Sequence, residues 1–191
     1  SEVVMKSNRI PVRAFRADDG FIGRVQKLVR EEVLPYQYQI LNDAIPDVEK
    51  SHAIENIRLA AKKLQGGDVK PDEFYGMVFQ DSDAAKWLEA VGYSLAIFPD
   101  EDLEKTADEV SDIIEKAQDS DGYLNTYYTI KDKDKRWTNI LEGHELYCSG
   151  HMIEAAVAYY EATGKDKLLR VMEKNVEHIY DVFIEGGHMG Y

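Results

Sequence analysis

The segment from residue 144 to residue 156 holds the side chains of this sequence that are best placed to do chemistry. Two imidazoles, one thiol and two carboxylates lie in a stretch that is otherwise apolar: His144, Glu145, Cys148, His151 and Glu154. A buried helix rarely carries so many polar groups without partners or a use for them. Because His144, Cys148 and His151 follow one another at spacings of four and three residues, a helix would place them on one face.

Imidazole and thiolate are both zinc ligands, so this face is compatible with a metal site as well as with a packed interior. Three ligands from one helix would be unusual, and Cys148 is the only cysteine of the chain. We therefore interpret Cys148 and His151 as buried structural side chains and predict no metal here. His144 lies where the helix begins, next to a loop, and a structural role and a ligand-binding role both stay open for it.

A long loop over residues 119–139 precedes this helix and is rich in groups that suit sugars. Its aromatic side chains include Tyr123 and Trp137, and amide and carboxylate side chains lie between them. Aromatic faces stack on the C–H faces of sugar rings, while amides and carboxylates bind the hydroxyl groups. The same residues could instead pack the loop onto the helices, and the two interpretations are equally compatible with the sequence.

The helices that must position these groups alternate between two kinds. Residues 84–96 and 142–163 are apolar on most sides, which predicts inner helices, and residues 101–118 and 167–183 are apolar on one side only, which predicts surface helices. Gly164 and the two residues after it predict a tight turn. Inner helix, turn and outer helix therefore occur twice, as two αα-hairpins that cannot bury their inner faces alone.

The amino-terminal part has weaker signals. Residues 1–17 are predicted to form an extended arm, and a helix is predicted to begin at Asp18-Asp19-Gly20 and to end near Pro35. Two shorter helices are predicted over residues 38–41 and 51–64. Strand signals are sparse, so the predicted fold class is all-α, built from αα-hairpins.

Composition limits the partners of the chain. Its 191 residues are 44% hydrophobic, enough for a packed core, and the formal net charge is −13. That charge argues against binding to nucleic acid or to an anionic membrane surface, whereas a neutral sugar is compatible with it. No apolar run reaches the roughly 20 residues of a membrane span. The single cysteine fits a reducing compartment, so we predict a cytoplasmic protein.

Four segments of the sequence together resemble one enzyme family, the β-L-arabinofuranosidases of glycoside hydrolase family 127. They occur in the order and spacing of the amino-terminal half of that family. The segments are Leu34-Pro35-Tyr36-Gln37-Tyr38, then Val78-Phe79-Gln80-Asp81-Ser82-Asp83 with Lys86-Trp87-Leu88-Glu89-Ala90, then Ala117-Gln118-Asp119-Ser120-Asp121-Gly122-Tyr123-Leu124-Asn125-Thr126, and last Arg136-Trp137 with His144-Glu145-Leu146-Tyr147-Cys148-Ser149-Gly150-His151 and Ala162-Thr163-Gly164-Lys165.

The resemblance implies an (α/α)6 toroid that carries a retaining exo-glycosidase. It implies a glutamate acid/base and a zinc-held cysteine nucleophile, both in the carboxy-terminal half of the family's catalytic domain. Cys148 matches neither the nucleophile nor a zinc ligand, so no catalytic residue, no metal and no cofactor are predicted in this chain. His144 matches a family histidine that contacts the arabinose ring, and Asp81 and Asp83 match an acidic helix entrance at the cleft.

We therefore predict that residues 1–191 are the amino-terminal part of a toroid catalytic domain, about half of the ring, which alone is inactive. A chain with unpaired inner helices is also expected either to form homo-oligomers or to rearrange. The predicted substrate-binding residues are His144, Asp81, Asp83, Tyr123, Trp137 and Glu145. Two other functions stay open: a non-catalytic helical module that binds sugar or protein, and a carboxylate-dependent six-hairpin enzyme such as an unsaturated glucuronyl hydrolase, in which Asp81 and Asp83 would matter most.

Overall fold

The computed structural model describes residues 10–17 and 20–188, and no strand occurs among them. The predicted all-α fold class is thereby confirmed. Nine α-helices follow one another along this part of the chain: α1 (Gly20–Leu28), α2 (Leu34–Leu41), α3 (Ala53–Leu64), α4 (Asp81–Ile97), α5 (Glu101–Lys116), α6 (Thr126–Lys131), α7 (Ile140–Gly143), α8 (Glu145–Thr163) and α9 (Lys167–Tyr180).

The longer helices form two layers. Helices α2, α4 and α8 pack side by side in one layer, and α3, α5 and α9 lie side by side in the other. The layers are joined within the chain, because α4 leads into α5 and α8 leads into α9. The predicted hairpins of inner and outer helices are therefore present. Between α2 and α4, the indole N–H of Trp87 donates to the carbonyl oxygen of Leu34 at 3.0 Å.

Helices α4 and α8 make the most extensive contact in the fold. Small residues permit it, and Gly92 lies where the two backbones are closest. A Cβ atom built on Gly92 would lie 2.8 Å from the carbonyl carbon of Ala158 and 2.9 Å from the amide nitrogen of Tyr159. Trp87, Leu88 and Val91 are buried around this contact. Helices α4 and α8 thus each cover much of the apolar surface of the other.

The predicted end of the first helix near Pro35 is wrong. The chain continues from α1 through a wider π-type turn, Val29–Val33, directly into α2, and Pro35 lies in the first turn of α2. A π turn shifts the hydrogen-bonding partners by one residue, which accommodates a residue that has no N–H to donate. Asp18 and Asp19, the predicted start of this helix, lie outside the described residues, as do residues 1–9 of the predicted arm. Within residues 10–17, Val12–Ala14 form a single 3₁₀ turn.

The inner helix predicted over residues 142–163 is broken at its start. His144 adopts the left-handed conformation, with φ of 52°, between the short helix α7 and α8. Hydrogen bonds from Tyr123 and Trp137 to Glu145, the first residue of α8, hold the chain at this break, which helical periodicity does not reveal. At the other end of α8 the predicted turn is confirmed, because Gly164 has φ of 74° and its N–H donates to the carbonyl oxygen of Tyr160 at 2.8 Å.

The close approach at Gly92 predicts a large difference between two glycine substitutions in the same pair of helices. Gly92→Ala should lower the free energy of unfolding by about 1–3 kcal/mol, because the methyl group meets backbone atoms that cannot move aside. Gly150→Ala in α8, where a Cβ would meet nothing within 4 Å, should raise it by about 0.5–1 kcal/mol. Urea unfolding of both variants measures the difference, and equal effects would contradict this packing.

Candidate functional site

One exposed surface joins the amino-terminal ends of the inner helices α4 and α8. On α4, Asp83 and Lys86 are three residues apart, and on α8, Tyr147 and His151 are four apart, which places each pair on one side of its helix. Phe79 and His144 lie just before the two helices. We call this surface the polar aromatic face; its residues are Phe79, Asp83, Lys86, His144, Tyr147 and His151.

The side chains of this face contact one another in a row. The ring of His144 lies 5.1 Å from that of Phe79 and 5.8 Å from that of Tyr147, between ring centroids. Tyr147 in turn packs edge-on against His151 at 4.6 Å. The ammonium group of Lys86 donates to the Tyr147 hydroxyl at 2.9 Å, and this hydrogen bond raises the pKa of Lys86. Aromatic, cationic and carboxylate groups therefore share one accessible surface.

His144 offers a free acceptor to this surface. Its Nδ1 atom lies 2.7 Å from the carbonyl oxygen of Glu142, which can only accept a hydrogen bond. Nδ1 therefore carries the proton, and in the neutral ring Nε2 is an acceptor. His144 has a left-handed backbone immediately before α8, and the residue is partly accessible. An imidazole in this position can accept a hydrogen bond from a ligand hydroxyl.

Asp81 does not point to the same side as Asp83. Its carboxylate is buried and accepts hydrogen bonds from the N–H of Thr126, at 2.7 Å, and from the Thr126 hydroxyl. Burial raises the pKa of Asp81, although both hydrogen bonds from Thr126 oppose that shift. Residue 80 occupies the cap position of α4, and the Asp81 side chain ties the loop before α6 to α4. Asp83, two residues on, is exposed.

Glu145 is the second buried carboxylate, at the first residue of α8. It accepts hydrogen bonds from the Tyr123 hydroxyl and from the backbone N–H of Trp137, the latter at 2.9 and 3.1 Å to its two oxygens. Burial raises the pKa of Glu145, against the effect of the Tyr123 hydrogen bond. Trp137 has φ of 59°, so Glu145 also stabilises a backbone conformation that non-glycine residues rarely adopt.

The aromatic side chains of the loop are packed inward. Tyr123 and Trp137 are 1% and 5% exposed, and their rings meet edge to face at 5.4 Å. The indole N–H of Trp137 donates to Nε2 of His178 in α9 at 3.0 Å. The guanidinium of Arg136 lies 3.8 Å from the centroid of the Tyr123 ring. Within the described residues, these contacts are those of a packed loop anchored to α8 and α9.

The structure therefore separates the six predicted site residues into two groups. His144 and Asp83 lie on the polar aromatic face, while Asp81, Tyr123, Trp137 and Glu145 are buried and hydrogen-bonded to other parts of the chain. The sequence analysis missed Phe79, Lys86 and Tyr147. The helical spacing of these three residues to Asp83 and His144 is visible in the sequence and could have identified them.

The thiol and the second imidazole of the segment differ in their surroundings. Cys148 is 3% exposed, as predicted, and burial raises its pKa far above the usual range. The prediction that His151 is almost inaccessible is wrong, because a quarter of its side chain is exposed. A zinc site built from several cysteines does not fit this chain, which has one cysteine and holds it as a buried, protonated thiol.

Two layers of αα-hairpins thus carry an accessible polar and aromatic surface at the amino-terminal ends of two inner helices. The family model described as the catalytic domain of GH127 beta-L-arabinofuranosidases matches residues 14–187. The chain belongs to that family.

Individual relatives agree with the family model. A non-reducing end beta-L-arabinofuranosidase of Bifidobacterium longum subsp. longum is 44% identical over 170 residues, covering 81% of this chain and 25% of the relative. The crystal structure of a GH127 beta-L-arabinofuranosidase from Geobacillus stearothermophilus T6 matches with a TM-score of 0.80 and 56% identity, covering 86% of this chain and 25% of that one. A second GH127 beta-arabinofuranosidase structure matches with a TM-score of 0.75 and 31% identity over 89% and 26% of the two chains. The chain thus spans about a quarter of the length of these relatives.

Asp119 holds the start of the loop through a strong electrostatic contact. Its carboxylate accepts hydrogen bonds from Lys133 at 2.7 Å, from the N–H of Ser120 at 2.8 Å and from Arg136 at 3.0 Å. Burial alone would raise the pKa of Asp119, but these contacts outweigh burial and lower the pKa to about 2. Because Arg136 also covers Tyr123, Asp119 fixes the guanidinium over the aromatic ring.

Because Asp81 is buried and Asp83 is exposed, we predict unequal stability effects for these two aspartates of one helix turn. Asp81→Ala should lower the free energy of unfolding by about 1–3 kcal/mol, because the buried N–H of Thr126 loses its acceptor. Asp83→Ala should change it by less than about 0.5 kcal/mol, as is usual for exposed sites. Chemical denaturation of the two variants provides the measurement. An equally small effect of both substitutions would mean that Asp81 does not tie the loop to α4.

The low pKa of Asp119 predicts a stability loss in acid. A carboxylate whose folded pKa of about 2 lies below its unfolded pKa of 3.8 stabilises the fold above about pH 4, and this contribution is lost as the pH falls towards 2. Asp119→Asn should therefore cost about 1–2 kcal/mol at pH 7, and the difference from the unsubstituted chain should shrink between pH 4 and pH 2. Denaturation at several pH values tests this, with the exposed Asp134→Asn as the matched control. A difference that is independent of pH would rule out the electrostatic explanation.

Proposed function

We propose that this chain is the amino-terminal part of a β-L-arabinofuranosidase and that its polar aromatic face is one wall of the sugar-binding site. The proposal extends to this chain the activity of the two relatives described as beta-L-arabinofuranosidases, of whose length the chain spans about a quarter. The substrate class would be small arabinofuranosides, hydrolysed at their non-reducing end. Neither nucleic acid nor a membrane is a proposed partner. No helix among the described residues is long and apolar enough to cross a bilayer.

The arrangement of Phe79, His144 and Tyr147 is the observation that carries this proposal. Phe79 and Tyr147 are 36% and 43% exposed, and both rings pack against the His144 ring. An aromatic ring can stack on the apolar face of a furanose, while Nε2 of His144 accepts a hydrogen bond from one of its hydroxyl groups. Asp83 and Lys86 extend the face with an acceptor and a donor. A furanose ring needs both kinds of contact, and this face provides them together.

The four buried site residues fit an indirect role in this proposal. Glu145 directly follows His144 and accepts hydrogen bonds from Tyr123 and Trp137. Glu145 therefore fixes the position of His144 at the start of α8. Asp81 similarly fixes the start of α4, next to Phe79. We propose Asp81, Tyr123, Trp137 and Glu145 as positioning residues, and His144 and Asp83 as residues that touch the sugar.

The reacting groups are proposed to come from outside this chain. Retaining hydrolysis requires an acid/base and a nucleophile about 5 Å apart on opposite sides of the bond that breaks. The two acidic residues at the start of α4 do not form such a pair, because Asp81 is buried and Asp83 is exposed. This orientation gives no support to the carboxylate-dependent alternative. In the proposed enzyme the acid/base glutamate and the zinc-held cysteine lie in the remainder of the catalytic domain, and the present chain supplies sugar contacts.

Two further properties remain proposals. Self-association is supported by the exposed apolar side chains of α1, where Phe21 and Ile22 are 74% and 63% exposed. A cytoplasmic location is supported by the single, buried thiol, because a chain with one cysteine forms no internal disulfide. A non-catalytic sugar-binding role for the chain alone remains compatible with the same face.

Removal of the His144 side chain from the full-length enzyme tests the proposed sugar contact. Glycine adopts the left-handed backbone of residue 144 without strain, so His144→Gly should weaken binding of a β-L-arabinofuranoside by about 1–3 kcal/mol with little change in stability. Glu109→Ala, at an exposed position of the outer helix α5, is the control and should leave affinity unchanged. Inhibition by free arabinose and steady-state kinetics give the affinities. Unaltered affinity of the His144→Gly enzyme would remove His144 from the site.

A further inference from the structure

The geometry points to a divalent metal site formed by Glu89 of α4 with His151 and Glu154 of α8. One carboxylate oxygen of each glutamate and one ring nitrogen of the histidine all lie within 4.8 Å of one another. Imidazole and carboxylate are the usual nitrogen and oxygen ligands of zinc and of other divalent transition metals. The inference does not rest on the proposed function, because metal binding is measured without any sugar.

The spacing of the three ligands is that of a metal site in a helix bundle. His151 and Glu154 are three residues apart, which places both side chains on the same side of α8. Glu89 approaches from the neighbouring inner helix. Helix-bundle metal sites likewise combine a carboxylate and a histidine three residues apart on one helix with carboxylates from a facing helix. The pair here has the reverse order along the chain, histidine first.

The state of the His151 ring is a second, independent observation. Its Nδ1 atom is shielded from solvent and has no hydrogen-bond partner among the described residues, although a quarter of the side chain is exposed. The nearest carboxylate oxygen, on Glu154, is 3.6 Å away, which is too long for a hydrogen bond. A shielded polar atom normally has a partner. A metal ion between Nδ1 and the two carboxylates would supply that partner.

Zinc is the ion that fits these ligands best. Zinc–nitrogen and zinc–oxygen bonds of about 2.0–2.2 Å bring neighbouring ligand atoms to about 3.3 Å, so the site must contract from its present spacing. The Glu154 side chain is 62% exposed and is free to rotate inward, while Tyr147 packs against the ring of His151 and holds it in place. Three protein ligands leave at least one coordination position for water. The bound ion would join α4 to α8 at the edge of the polar aromatic face.

Calorimetric titration of Zn²⁺ into the chain tests this site. The unsubstituted chain should bind one equivalent, and His151→Ala and Glu154→Gln should each weaken binding at least tenfold. Zinc should also raise the midpoint of thermal unfolding of the unsubstituted chain, because an ion that binds only the folded state stabilises it. Glu154 is exposed, so its substitution leaves a folded protein to measure even if the His151 variant unfolds.

Two matched controls separate this site from other acidic or histidine side chains. Glu109→Gln on α5 and His144→Gly on the same face should both retain the zinc affinity of the unsubstituted chain. Substitution of Co²⁺ for zinc should give visible absorption bands that disappear in His151→Ala. The proposal is overturned if Zn²⁺ does not bind, or if it binds equally well to the Glu154→Gln and His151→Ala variants.

Discussion

The buried carboxylate of Glu145 is the interaction on which the site depends most. An ionised group in the interior is tolerated only when hydrogen bonds replace its water, and Glu145 obtains them from the Tyr123 hydroxyl and the Trp137 N–H. Those two partners lie at opposite ends of the long loop, so one side chain closes the loop onto the first residue of α8. His144 precedes Glu145 directly and has a left-handed backbone at the point where α8 begins. Packing of the loop and presentation of the imidazole therefore have one physical cause.

A similar arrangement occurs at the start of α4, where the buried Asp81 binds Thr126 and the exposed Phe79 lies just before it. Helices α4 and α8 thus each begin with a buried carboxylate that fixes the loop and have an accessible aromatic or imidazole side chain beside it. Close contact of α4 and α8 at Gly92 then sets the distance between the two helix ends. In this way backbone packing more than ten residues along α4 determines the spacing of Phe79 and His144.

Periodicity in the sequence predicts most of the scaffold, because burial on one side or on all sides of a helix leaves a direct pattern. It predicts the alternation of inner and outer helices and the turn at Gly164. It fails at Pro35, where a π turn lets the helix continue, and at His144, where contacts distant in sequence fix the backbone. The roles of Tyr123, Trp137 and Glu145 were not predictable for a related reason. Aromatic and carboxylate residues in a loop have the same composition whether they bind a sugar or one another, and only the folded contacts distinguish the two.

The central claim is that arabinose binds the polar aromatic face and that the buried loop aromatics support that face from behind. A crystal structure of the full-length enzyme with bound L-arabinose tests it most directly. We expect the sugar within hydrogen-bonding distance of Nε2 of His144 and in contact with the ring of Phe79 or Tyr147, with Tyr123 and Trp137 still covered by protein. A sugar that stacks on Tyr123 or Trp137, or one that is bonded to Glu145 and leaves His144 uncontacted, would contradict the account.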